Sequence, residues 1–214
     1  LVLIPDNSFI QFAVPADDQE LILATDAKLA VDKMKVSGSD DNAVFFDYLR
    51  ALNKARMDSD TLRAQIDRYK NSAPDSIRIS GQMLEIDKQV KKLQQDILQK
   101  HPQSLSAKIV RASIEPEPPE FKGDDKALFN QRREWARVHY FDHVDITDLC
   151  MLRSPVLHPR MLQYVNDFTV QHPDSIIQSI EFVLNKVKGS PDVTEFYLNF
   201  FLSTYASSKF VGMD

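Results

Sequence analysis

Residues 79–97, ISGQMLEIDKQVKKLQQDI, place Ile79, Met83, Ile86, Val90, Leu93 and Ile97 at alternating steps of four and three. That spacing lines one face of an α-helix, and Lys, Gln, Glu and Asp fill the other faces. The seam asks for a partner. Phe45, Tyr48, Leu52, Ala55, Ser59, Leu62, Ile66 and Tyr69 make a second seam of the same spacing just upstream. Ser59, between Asp58 and Asp60, weakens it and marks a candidate kink. Between the seams Asn71-Ser72-Ala73-Pro74 stops a helix, because proline cannot continue one. Two amphipathic helices of matched length joined by a short turn predict an antiparallel hairpin over residues 39–101, begun by capping residues in Ser39-Asp40-Asp41.

Working outward from the hairpin, residues 1–38 read as a β segment. Phe9 to Val14, Leu21 to Thr25 and Ala30 to Val36 are short apolar runs, the first closed by Pro15 and Asp17-Asp18. Two or three strands cannot hold a core of their own, so they pack on the helices or belong to a larger β-domain. Downstream, residues 103–214 read as stacked helix pairs. A helix over Leu105 to Ile114 ends at the acidic Pro-rich run Glu115-Pro116-Glu117-Pro118-Pro119-Glu120, the candidate internal linker 115–120. Another begins near Asp124-Asp125 and carries Leu128, Phe129, Trp135, Val138 and Phe141. Two further segments end at His172-Pro173-Asp174-Ser175 and at Lys188-Gly189, and a last helix follows Ser190-Pro191-Asp192. HPQS at 101–104 and HPDS at 172–175 are local echoes, each expected to fix a helix start. The fold class is therefore mainly α: a helical hairpin plus stacked helix pairs, with a short β segment at the N-terminus. The expected division is 1–38 and 39–214.

The totals exclude several functions. A net charge of −5 supplies no basic face for nucleic acid. The single cysteine, Cys150, rules out an internal disulfide and a CxxC pair, and is expected to be a small buried apolar residue. No apolar run reaches the roughly eighteen residues of a membrane span. Five glycines among 214 residues argue against a turn-rich all-β fold. The absence of an initiator methionine and the abrupt end at FVGMD suggest a segment of a longer protein.

The densest cluster of aromatic, His and Asp residues is HYFDHVDITDLCMLRSPVLHPR, 139–160. His139 and His143 are spaced as a zinc-binding helix spaces them, with Asp142 and Asp145 nearby. There is no HExxH, so no general base stands between the histidines. Cys150 with His139, His143 or His158 is a conceivable nucleophile pair of the kind only a fold can bring together. Ser154 lacks a nucleophile-elbow pattern, and the chain has no glycine-rich phosphate loop. No cofactor is expected. The stripe Phe196, Tyr197, Phe200, Phe201 and Tyr205 reads as core before it reads as a ligand box. Tyr140, Asp142, Arg153 and His158 are expected to form the internal turn that holds the helical blocks together, with Arg153 pairing Asp142 or Asp145.

HYFDHVDITD, LRSPVLHPR, TVQHPDSI and SSKFVGMD, in that order, resemble the helical region that precedes the thioredoxin-like domain in envelope proteins of Bacteroidota. DKMKVSGSDDNAVFFDYLR resembles the junction where that family's small β-domain hands over to a long helix. The resemblance implies a periplasmic or envelope location, lipid-anchored in some longer forms. It also implies a neighbouring thioredoxin-like domain that carries the redox CxxC. By that reading this segment is a non-catalytic accessory domain, which positions the redox domain or binds a client or a second subunit. The alternative is a small-molecule or metal-binding enzyme domain centred on His139, Asp142, His143 and Cys150.

Overall fold

A computed structural model describes residues 1–3, 8–14, 20–69 and 73–208, the side chains of residues 3, 8 and 67 excepted. The chain forms two compact units, Leu1–Ala107 and Lys108–Asp214. Among the described residues there are eight α-helices and four short strands, the mainly α architecture that the seams predict.

In the first unit, α1 (Asp40–Tyr69) and α2 (Ala73–Lys100) are the hairpin. Ser39 caps α1, its hydroxyl taking the Asn42 backbone N–H at 3.4 Å and the Asn42 side-chain amide at 2.9 Å. Asp40 and Asp41 then lie in the positive first turn. Pro74 sits in the first turn of α2, where its missing N–H costs nothing. Both seams face inward. Phe45, Tyr48, Ile79 and Ile97 are buried and the intervening seam residues are half-buried, whereas Tyr69 at the far end is exposed. The buried Gln94 donates to the Tyr48 hydroxyl at 3.0 Å, a polar tie that fixes the register of one helix on the other. The helix runs through Ser59 without a break. The turn at Asn71-Ser72 lies outside the described residues.

The β segment is slighter than its apolar runs suggest. β1 (Val2–Leu3) pairs with β2 (Ser8–Phe9), and β3 (Ile22–Ala24) pairs with β4 (Lys35–Ser37), both antiparallel. Residues 10–14 form no strand, and the stop at Pro15 and Asp17-Asp18 lies outside the described residues. The run from Ala30 to Val36 is mostly turn. Asp26 accepts from the Lys28 N–H and starts a 3₁₀ turn at Ala27–Leu29, and the Thr25 hydroxyl closes on the Ala30 carbonyl. These local hydrogen bonds outbid strand pairing.

The segment has no core of its own. Ile10 and Met34 bury against Phe46 of α1, with Leu23, Val36 and Leu49 packed around them. Asn42, wholly buried on α1, accepts from the Ala13 N–H and donates to the Ala13 carbonyl, both at 2.8 Å. Its amide thus replaces a neighbouring strand for Ala13. A boundary at residue 38/39 would cut through this core, so the β segment and the hairpin are one unit.

The division between units falls inside α3 (Leu105–Ser113). Asp41 accepts from the Leu105 and Ser106 N–H groups at 3.0 Å each, and so caps α3 from the start of α1. Ser104 caps the Ala107 N–H, leaving Pro102 in the preceding turn. In HPDS, by contrast, His172 is the N-cap and Pro173 the first helical residue, with no side-chain cap. The two motifs therefore begin their helices differently. The Pro-rich run 115–120 is free of helix and strand, but it lies within the second unit rather than between the two.

That unit continues with α4 (Asp125–Val138), α5 (Leu149–Leu152), α6 (Leu157–Asn166), α7 (Pro173–Val187) and α8 (Pro191–Ala206). Asp124 caps α4 as expected, accepting from the Ala127 N–H. The core is built from Val110, Met151, Leu157, Met161, Tyr164, Val183 and Tyr197, all nearly inaccessible to solvent.

Candidate functional site

α4 stops at Val138, with His139 as its C-cap, and residues 139–148 form turns. His139 and His143 therefore do not share a helix face. His139 stacks on Trp135, ring centroids 4.5 Å apart, and hydrogen-bonds through Nδ1 to Asp142 at 2.6 Å. His143 turns the other way and donates from Nδ1 to the Ile114 carbonyl at 2.8 Å. Asp145 accepts from the Thr147 backbone and hydroxyl. Among the described residues no three His, Cys, Asp or Glu side chains come together to hold a metal ion.

Tyr140 is the pivot of the turn. Its hydroxyl donates to Gln163 of α6 at 2.5 Å, and its ring packs on Phe141, Tyr164 and Phe168. Burial pushes its phenol above the ordinary range. The arginine of the turn is Arg160, not Arg153. Arg160 donates to the Ala112 carbonyl at 2.6 Å and to the Tyr140 carbonyl at 3.4 Å, and lies over the Tyr140 ring at 5.3 Å. Arg153 ends α5, is exposed, and forms no ion pair with Asp142 or Asp145. The C-cap position after the single turn of α5 points outward, whereas Arg160 in α6 faces the Ala112 carbonyl of α3.

Asp148 caps α5 through the Cys150 N–H and pairs with Lys108 at 2.5 Å. Burial opposes ionisation of Asp148, yet the hydrogen bonds from Lys108 and Cys150 hold the carboxyl below its usual value. The same hydrogen bond raises Lys108 against its own burial. A depressed carboxyl contributes stability above its unfolded value, near 3.8, and loses it as pH falls through the folded value. The raised lysine contributes below 10.5 and loses its share as pH rises through its folded value. Asp148→Asn keeps the cap but removes the charge. It should cost about 1–2 kcal/mol at pH 7. Urea denaturation should show that cost shrinking toward zero as pH falls below 3.8 and through the folded value. Cys150 itself is exposed rather than buried, because Met151 takes the inward position on this short helix.

His158 of α6 lies against α8, edge-on to Phe196 and Phe200 and nearly parallel to Tyr197. Of the α8 stripe, Tyr197 and Phe201 are core, while Phe196 is 42% exposed. His158 Nδ1 and the Tyr197 hydroxyl are buried without a hydrogen-bond partner among the described residues. Burial drives the Tyr197 phenol far above its ordinary value. A buried hydroxyl without a partner is a liability, so Tyr197→Phe should raise stability by about 1 kcal/mol in urea denaturation.

Three hollows lined by described residues bear on the site. One of about 280 Å³ lies beside the turn, walled by Trp135, His139, Tyr140, Arg160 and Phe168, with Glu115 and Pro116 at its edge. A second, about 350 Å³, is an apolar groove between α7 and α8. The third, about 800 Å³, is a polar trough between α4 and α7. Family models, curated proteins and solved structures offer no match to this chain.

Of the residues picked out in sequence, only His139 and Asp142 are joined to each other, whereas Tyr140, His143, Cys150 and His158 each look to separate surroundings. The residues not anticipated are Arg160, Lys108, Gln163 and Trp135. Their partners lie 20 to 48 positions away, or in Trp135's case one helical turn on, at a helix end that periodicity does not locate.

Proposed function

We propose that this chain is a non-catalytic accessory domain of an envelope thioredoxin-like protein, and that its α7–α8 face seats the redox domain of the same protein. The observation that carries the reading is the apolar groove lined by Ile177, Ile180, Leu184, Leu198, Leu202 and Tyr205. Ile177, Leu198 and Leu202 are 51%, 44% and 61% exposed. From Phe196 to Ala206 the helix carries no charged residue. A helix apolar on several faces gains by being covered on more than one side. The sequence likeness supplies the occupant, a thioredoxin-like neighbour. A client or a second copy of the chain would use the same face.

The test is association in trans. The full 214-residue chain is mixed with the separately produced neighbouring domain, and binding is followed by calorimetry and light scattering. Association that Leu202→Asp weakens tenfold or more supports the reading. Absence of association, or association indifferent to Leu202→Asp, removes it. Self-association lost in Leu202→Asp, with no binding of the neighbour, would assign the face to a second subunit instead.

A further inference from the structure

α7 presents a second, quite different face on the side away from the apolar groove. Ser175, Gln178, Ser179, Phe182 and Lys186 recur at helical spacing and form one wall of the 800 Å³ trough. Asn130, Arg133, Glu134, Arg137 and Val138, a single stripe of α4, form the other. Tyr164 and Phe168 lie along the floor. We infer that this trough is a binding site for an extended acidic peptide segment.

Length comes first. Ser175 and Lys186 are eleven residues apart on one helix, about 16 Å at 1.5 Å per residue. An extended peptide covers that distance in about five residues. A lone phosphate or carboxylate ligand would fill a small fraction of it.

Charge comes second. The chain is net acidic, yet the walls of this trough carry three cations and one anion. Arg137 is occupied by Glu134, with Nη2 to Oε1 at 3.0 Å and Nε to Oε2 at 3.3 Å. Arg133 and Lys186 make no ion pair among the described residues, and they lie on opposite walls. Lys186 is held over the Phe182 ring at 5.1 Å, an orientation that leaves its ammonium to receive a carboxylate. Two charges on opposite walls suit a strand whose acidic side chains reach to both sides.

The floor comes third. Phe168 on the floor and Phe182 on the wall, both half-buried, offer aromatic surface between the cations, and the Asn130 and Gln178 amides line the walls among them. Amides suit main-chain hydrogen bonding, and rings suit apolar side chains alternating with the acidic ones. This inference does not rest on the α7–α8 reading, because the two hollows lie on opposite sides of α7 and each can fail alone.

The experiment uses the full chain and a fluorescein-labelled peptide, Glu-Phe-Glu-Leu-Glu, read by polarisation at low salt. Its counterpart is Lys-Phe-Lys-Leu-Lys. The expected result is binding of the acidic peptide only, weakened roughly tenfold or more in the Arg133→Glu/Lys186→Glu double variant. Amide chemical-shift changes should fall on α4 and α7. Both substituted residues are exposed, so the variant should keep its circular dichroism and melting temperature. Should the variant melt early, the charge-neutral Arg133→Gln/Lys186→Gln pair replaces it. Equal binding of both peptides, no binding of the acidic one, or undiminished binding by the folded variant overturns the proposal. So does binding to anionic phosphatidylglycerol vesicles without binding to the peptide.

Discussion

Gly38→Ala should lower the stability of the chain by about 3–4 kcal/mol, read as a fall in the urea midpoint monitored by far-UV circular dichroism. Gly38 follows β4 with φ of +83°, a conformation costing an L-residue about 1–2 kcal/mol. A Cβ there would also lie 1.8 Å from the Glu20 carbonyl oxygen. That oxygen belongs to backbone leading into β3, so relief requires shifting a strand and the buried cluster of Ile10, Met34 and Phe46 beside it. Overpacking of this sort adds about 1–3 kcal/mol. Gly81 gives the comparison. Nothing lies within 4 Å of its added Cβ, and Gly81→Ala in mid-helix should stabilise by about 0.5–1 kcal/mol.

Arg160→Met should cost about 2–3 kcal/mol, whereas Arg153→Met, seven positions earlier, should fall within about 0.5 kcal/mol of the native chain. The first loses two charge-assisted hydrogen bonds to the Ala112 and Tyr140 carbonyls and a cation–π contact. The second loses an exposed side chain without an ion pair among the described residues. Equal effects for the two variants would mean that the turn is not held by Arg160. The readout is the urea midpoint of both variants, with near-UV circular dichroism reporting the packing of Tyr140 against Phe168.

The contrast between these arginines shows where sequence reading stops. Both lie in the same dense stretch, and composition favours neither. What separates them is that α5 is a single turn and α6 begins at Leu157, which swings Arg160 toward the end of α3. The histidine pair fails for a related reason. A spacing of four places two rings on one face only if the helix continues, and α4 ends at Val138. Cys150 is outside rather than inside because a four-residue helix can bury only some of its residues, and Met151 takes that place. Of the motifs carrying the family likeness, residues 209–214 lie outside the described residues.

The sequence by itself determined the longer helices, their seams and several of their starts. Helical periodicity is a local property, and Ser39, Asp124, Pro173 and Pro191 act within one turn of where they stand. Tertiary structure alone decided the rest. It made the β segment and the hairpin one unit, through Asn42 on Ala13 and Met34 on Phe46. It set Asp41 as the cap of a helix 64 residues away and Lys108 as the partner of Asp148. It also turned opposite faces of α7 toward two unlike hollows. Such pairings depend on which backbone groups and charges are left unsatisfied when the helices pack, and that is settled by distances through space rather than along the chain.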